Sequence, residues 1–131
     1  MAGPWDASIN LLHFAVDKGE FIAPTLDIGK EFGVRAEIEI GDELRSIATA
    51  YQLVVNVQNL STGVVASCTV PGSLTPARKI LRTPMVVDFP QLAANEGDLL
   101  RASCSLRVTA GVHTDYSVAE SEFAIAEIPE S

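Results

Sequence analysis

The sequence predicts an all-β protein, an antiparallel β-sandwich of about seven strands. Apolar and polar residues alternate with a period of two in several segments, as side chains on the two faces of a strand do. Turn-forming residues separate these segments at short intervals, which is typical of antiparallel sandwiches. No long segment has helical periodicity, and at most one helical turn is expected, around Gln91–Asn95.

The two clearest strands are Val34–Ile40 and Leu100–Val108. In each, apolar residues occupy every second position, and charged or small polar residues stand between them. One face of each strand should therefore point into the core. The predicted inward residues are Val34, Ala36, Ile38, Ile40, Leu100, Ala102, Cys104, Leu106 and Val108.

Five further segments complete the predicted strands: 9–16, 50–59, 64–70, 84–90 and 117–127. The first is apolar on both faces, so its register cannot be read. In the last, we expect Ala119, Phe123 and Ile125 to be buried. A hairpin turn is predicted over Asn59–Val64, where Gly63 can adopt positive φ.

Length and charge limit the classes of protein that remain. A chain of 131 residues predicts a single domain, 1–131, with flexible ends near 1–7 and 127–131. The net charge of −8 makes nucleic acid and anionic lipid unfavourable partners. Neither a secretory signal nor a membrane-spanning run is visible, so no membrane insertion is expected. We expect a cytoplasmic protein, or alternatively a mature secreted chain that has lost its signal.

The segment "VVDFPQLAANEGDLLRASCSLRV" resembles the corner of immunoglobulin-like domains. There, a short strand leads to a turn with an acidic residue and a glycine, and then to a strand that carries a cysteine. Glu96, Gly97 and Cys104 are the matching positions. Ala102 stands where the family has a tyrosine, and Tyr51 lies on the strand where it has a tryptophan. The resemblance implies an immunoglobulin-like sandwich and transfers no functional residue, because this architecture hosts unrelated functions.

Cys68 and Cys104 are the only cysteines, and both lie on the apolar face of a predicted strand. A small buried hydrophobe is the commonest role of a free cysteine. A disulfide between them is the alternative, although structural disulfides are rare in reducing compartments. Neither cysteine has the spacing of a metal site. We therefore expect two reduced core thiols.

No group of residues indicates catalysis. His113 and Asp115 are close enough in sequence for proton transfer, but no nucleophile accompanies them, so a solvated loop pair is favoured. The acidic residues around Asp42 and Asp98 lack the spacing of a calcium loop. The sequence therefore predicts a non-enzymatic protein with no cofactor and no metal.

One basic segment stands out in this acidic chain. The stretch Pro71–Pro84 contains three of the nine basic residues, with two apolar residues between them. Long connections in compact domains are often functional. We expect a partner to bind here, with a crossover loop packed on the core as the alternative. The candidate binding residues are Arg78, Lys79, Ile80, Leu81 and Arg82.

These observations predict a non-catalytic structural or interaction module. It would bind a protein partner or form homo-oligomers through an exposed sheet edge or through loops. The alternative is a sandwich that binds carbohydrate or another small ligand. Aromatic residues make up only 6% of the chain, which favours the protein partner.

Overall fold

The computed structural model describes residues 3–16 and 21–129 of the chain. Within these residues it has ten strands and one helix of four residues, which confirms the predicted all-β sandwich. The elements are β1 (Ala7–Val16), β2 (Phe21–Ile22), β3 (Thr25–Asp27), β4 (Phe32–Ile40), α1 (Asp42–Arg45), β5 (Ala50–Asn59), β6 (Val65–Ser73), β7 (Leu81–Phe89), β8 (Leu99–Ala110), β9 (His113–Glu120) and β10 (Ala124–Glu127).

Two sheets pack against each other. The first, sheet A, has the order β2-β1-β4-β7, and the second, sheet B, has the order β3-β10-β8-β5-β6. The remaining strand, β9, pairs with the same side of the long β8 as β10 does. The start of β8 pairs with β10, and residues Ser103 to Ala110 of β8 pair with β9. The short β3 runs parallel to β10, so sheet B is mixed rather than wholly antiparallel.

The core lies between the two sheets, and the predicted faces of β4 and β8 form its centre. All nine residues predicted to point inward from these strands are buried. Phe32 and Phe89 stack in this core with their ring centroids 5.1 Å apart. Offset stacking adds to the burial of apolar area by roughly 0.5–1.5 kcal/mol. The alternation in sequence therefore marked the buried faces correctly.

The predicted phase of the last strand is wrong. Ala124 and Ala126 are buried, whereas Phe123 and Ile125 are exposed. The segment consists of two strands, because residues 121–123 leave the ladder between β9 and β10. Ser121 fixes this break, since its Oγ accepts a hydrogen bond from the N–H of Ala102. The break shifts the inward positions by one residue.

The unreadable register of the first strand has a structural cause. A β-bulge interrupts the pairing of β1 with β4 between Ile9 and Leu11. Such a bulge adds one residue to a strand and interrupts the alternation of its side chains. Leu12 and Phe14 are consequently buried, while Leu11 is exposed.

Residues 91–95, where at most one helical turn is expected, are not helical, and the one short helix of the described residues follows β4 instead. The N–H of Gly41 donates to the carbonyl of Asp6, and that of Leu44 donates to Pro4. A side chain on Gly41 would collide with the carbonyl oxygen of Gly3. The lack of a side chain therefore lets the N-terminal segment lie against the start of α1. No helix of the described residues is long and apolar enough to cross a membrane.

Candidate functional site

The predicted basic segment is shorter as a loop than the sequence suggests. Both β6 and β7 extend into it, so only residues 74–80 of this segment remain as a loop between β6 in sheet B and β7 in sheet A. Two backbone hydrogen bonds hold this connection, from Leu74 N to Thr49 O and from Ala77 N to Arg45 O. The segment is therefore the crossover from β6 to β7, tied to the loop before β5 and to α1.

Two of its three cations are paired within the chain. Arg78 lies 3.0 Å from Glu43, and Arg82 Nε lies 2.6 Å from Oε1 of Glu39. Leu81 is half-buried and packs on the core. Lys79 makes no ion pair with any described residue, and Ile80 beside it is 49% exposed. Of the five predicted binding residues, these two are the most available to a partner.

The cysteines do not form a site. Both lie opposite Val55, Cys68 on β6 and Cys104 on β8, so strand β5 separates them. Two strand spacings make about 9.6 Å between their Cα atoms, which is too far for a disulfide. Both thiols are free. Burial raises the pKa of the Cys104 thiol to about 12, so it is protonated near neutral pH.

A different surface, the open edge of β6, has an unusual composition. No residue from Ser46 to Ala77 carries a charge or is a histidine. These 32 residues contain the whole β5–β6 hairpin, and the chain average of 20% charged residues would place about six charges there. Val64 directly precedes β6 and Val65 begins it, and they are 60% and 53% exposed. This edge of sheet B is thus apolar or neutral throughout.

The backbone of β6 faces outward at every odd position. Asn59 N donates to Val64 O, and Leu74 N donates to Thr49 O, so the even positions point toward β5. In a strand the backbone groups of successive residues point to opposite sides. Pro71 occupies an odd position, which suits a residue that has no N–H. The residues whose N–H groups face the open side are Val65, Ser67, Thr69 and Ser73.

The other outer edges of the described sheets are protected. At the far ends of the sheets, β2 and β3 have only two and three residues. The open edge of β7 carries Pro84 in its middle and Arg82 and Asp88 on either side. Such short strands, prolines and charges are the usual means of preventing edge-to-edge pairing.

The last of these edges is closed by side chains. The N–H groups of Ala7 and Ile9 on β1 donate to Asp115 Oδ2 at 2.7 Å and to Ser117 Oγ at 3.2 Å on β9. The two sheets are therefore joined along this side. Among the described strands, β6 is the one long edge without charge, and it is unblocked over Val65–Thr69.

A buried polar corner holds the start of β6. The side-chain oxygen of Asn59 accepts from Ser61 N and Thr62 N, and its amide donates to Asp98 at 2.8 Å. Asp98 also accepts from Asn95 N at 2.9 Å. The bond from Asn59, together with that from Asn95, holds the pKa of Asp98 below its ordinary value. This corner fixes the turn that presents Val64 and Val65.

The residues considered for chemistry are dispersed. Asp115 is occupied in closing the sandwich, and His113 is exposed at the start of β9. Asp42 lies on α1, and its Oδ1 accepts from the N–H of Glu43. Among the described residues, no three His, Cys, Asp or Glu side chains form a group that could hold a metal ion.

Comparison with family models, with curated proteins and with solved structures gave no match. The geometry of the chain itself is therefore the basis for any functional conclusion. The sequence predicts binding through an exposed sheet edge or through loops and offers candidate residues on the basic segment, but its alternation pattern does not indicate which strand forms the edge. The signal was present in the sequence as the charge-free stretch from Ser46 to Ala77.

Proposed function

We propose that this protein is a non-catalytic interaction module that binds an extended strand along the open edge of β6. The observation that carries the proposal is the contrast between edges. Every other outer edge of the sheets, as far as the described residues form them, is short, charged or bridged, whereas β6 is long, neutral and apolar at its start. An exposed strand of this kind is a template for pairing with another strand.

Strand addition explains the chemistry of this edge. The outward N–H and C=O groups of Val65, Ser67 and Thr69 provide the main-chain hydrogen bonds on which this mode of recognition depends. A neutral edge removes like-charge repulsion, which a chain of net charge −8 would otherwise present to an acidic partner. Residues 65–69 form the docking segment, which we call the β6 docking edge.

The basic crossover is the natural extension of this surface. Lys79 and Ile80 are exposed in the connection that follows β6 directly. We propose that they contact the flank of a bound strand, while Arg78 and Arg82 hold the fold through Glu43 and Glu39. Changing Lys79 and Ile80 to Ser should therefore weaken binding modestly. Arg82→Ser should instead lower the free energy of unfolding.

The strand order also supports an immunoglobulin-like architecture as part of the proposal. The order β1-β4-β7 against β6-β5-β8-β9 corresponds to strands A-B-E against C′-C-F-G of that fold. In this correspondence the β6 docking edge is the edge of strand C′. The correspondence concerns architecture and carries no ligand with it.

Carbohydrate binding has less support. The outer face of sheet B has a shallow depression of about 510 Å³ lined by Asn56, Ser103 and Ser105. Two exposed aromatic residues flank this face. Tyr116 lies opposite Arg107 in the β8–β9 ladder, and the guanidinium of Arg101 lies over the ring of Phe123. These arginines lie six positions apart on β8, which is about 20 Å at the rise of a strand. The two aromatic residues therefore lie beside well-separated positions of β8, which does not favour one platform for stacking on a sugar.

The test compares wild type with Ser67→Lys and Ser73→Lys in affinity capture, using tagged protein and lysate from the native host. Both serines are exposed on β6 and point to the same face, but only Ser67 lies in the β6 docking edge. Proteins recovered by wild type and by Ser73→Lys, and lost with Ser67→Lys, are the expected result. Equal recovery by all three would contradict binding at this edge.

A further inference from the structure

We infer that the strand bound by the β6 docking edge is β6 of a second copy of this chain. The inference rests on the proposed function and names its partner. The two strands run antiparallel about a two-fold axis at Ser67. Val65 of one copy then lies opposite Thr69 of the other, and sheet B continues across both molecules.

The outward-facing N–H and C=O groups of β6 are arranged symmetrically about Ser67. The outward donors Val65, Ser67 and Thr69 are evenly spaced around it. In the two-fold arrangement the same three residues of the second copy meet them. Pro71, which has no N–H, then falls opposite Gly63 in the turn of the other copy, beyond the paired strands. The missing donor is therefore not needed.

The side chains agree with this register. Val64 is 60% exposed just before β6, and it falls beside Val70 of the second copy, which is half-buried on the inner side of its own strand. Val65 and Thr69 meet on the outer face as a β-branched pair, a favourable combination across strands. The pairing therefore covers both exposed valines at the start of β6.

Charge favours a second copy at this edge and disfavours contact elsewhere. Two chains of net charge −8 repel each other over most of their surfaces. At the two-fold axis Ser67 meets Ser67 of the second copy, and the residues on either side meet residues of the same short segment, so a charge at Ser67 would face a like charge. A segment free of charge from Ser46 to Ala77 meets this requirement.

The expected dimer is weak, because five paired residues on each copy form a small interface. Stable interfaces usually bury about 1,200–2,000 Å² in total. Self-association should therefore depend on concentration, with monomer dominant in dilute solution.

Sedimentation velocity over a concentration series of the full chain tests the inference. Wild type and Ser73→Lys should show the same concentration-dependent dimer. Ser67→Lys places two ammonium groups opposite each other at the axis, and should raise the dissociation constant by about tenfold or more. Ser67→Ala controls for the hydrogen bond from Ser67 to Asn56 and should leave the dimer intact. The melting temperatures of all variants show that they are folded.

Amide hydrogen exchange gives a second measurement with an internal control. In the dimer, the N–H groups of Val65, Ser67 and Thr69 should gain protection as the concentration rises. Those of Ala66 and Cys68, which face β5, should be protected at every concentration. An alternating pattern of this kind identifies pairing along this edge and no other surface.

The results separate failure of this inference from failure of the proposed function. Wild type that stays monomeric at millimolar concentration, with Val65, Ser67 and Thr69 unprotected, overturns self-pairing. The proposed function then stands if Ser67→Lys loses a different protein in affinity capture. A dimer that Ser67→Lys does not weaken also overturns the inference, because its interface must lie elsewhere.

Discussion

Asp98 shows how one side chain sets a corner of this fold. Its carboxylate is buried and accepts hydrogen bonds from the Asn59 amide and the Asn95 N–H, which join the β5–β6 turn to the turn before β8. Both bonds require an acceptor, and they therefore favour the ionised form. The role was hidden in the sequence, where Asp98 stands beside Glu96 as one of several acidic loop residues.

The lowered pKa of Asp98 predicts a pH-dependent contribution to stability. Ionised Asp98 stabilises the fold above its unfolded pKa, about 3.9, and this contribution is lost as the pH falls through the lower folded pKa. Urea unfolding should find wild type more stable than Asp98→Asn at pH 7, with the difference narrowing below about pH 4. Glu96→Gln removes the same charge from an exposed neighbour and should show no comparable effect. A difference that stays constant to pH 2 would contradict the assignment.

The two thiols should differ in reactivity. Cys104 is buried with a raised pKa, whereas Cys68 is partly exposed on the edge strand. A protonated, inaccessible thiol reacts poorly, because the thiolate is the nucleophile. We expect a thiol reagent at pH 7 to modify Cys68 well before Cys104 in the folded protein. Two thiols should react after unfolding without reductant, and Cys68→Ser should remove the faster phase. If the number of reactive thiols does not increase on unfolding without reductant, the two cysteines form a disulfide.

At the scale of elements, a strand could be predicted where one face is buried along its whole length. This holds for β4 and β8, whose alternation is regular because each lies between two long neighbours. It fails for β1, where a bulge inserts a residue, and for β9–β10, where Ser121 ends the ladder. These irregularities depend on contacts with distant strands, and local pattern does not record them.

The ion pairs of Arg82 on β7 and of Arg78 in the crossover give a prediction about stability. Glu39 is 1% exposed and accepts a short charged hydrogen bond from Arg82, whereas Arg78 and Glu43 meet at the surface. Exposed pairs contribute about 0–1 kcal/mol, and removing a partner of a buried polar group costs about 1–3 kcal/mol. Arg82→Ala should therefore lower the free energy of unfolding by about 1–2 kcal/mol, and Arg78→Ala by less than about 0.5. Chemical denaturation measures both, and equal losses would show that Glu39 does not depend on Arg82.

At the scale of the molecule, the sandwich is asymmetric in how it treats its sides. The β1–β9 side is closed by side-chain hydrogen bonds, and the β6–β7 side is left open apart from the crossover. The neutral composition of β6 could be read from the sequence, but its position at an edge could not. Edge position follows from the order of strands in the sheet, which is set by pairings between residues far apart in the chain.

The closed side predicts the largest consequence of a single surface change. Asp115 accepts from the N–H of Ala7, a buried residue on the free edge of β1. Asp115→Ala would leave that donor without its acceptor, which costs about 1–3 kcal/mol. It would also uncover a strand edge, so the variant should aggregate at lower temperature than wild type.

Two controls locate this effect. Asp115→Asn keeps an oxygen acceptor at the same place and should recover part of the lost stability. Thr114→Ala changes the exposed neighbour on β9, which points to the outer face, and should alter the free energy of unfolding by less than about 0.5 kcal/mol. Thermal unfolding with light scattering measures both properties. If Asp115→Ala is as stable and as soluble as Thr114→Ala, the hydrogen bonds between β1 and β9 do not hold the two sheets together.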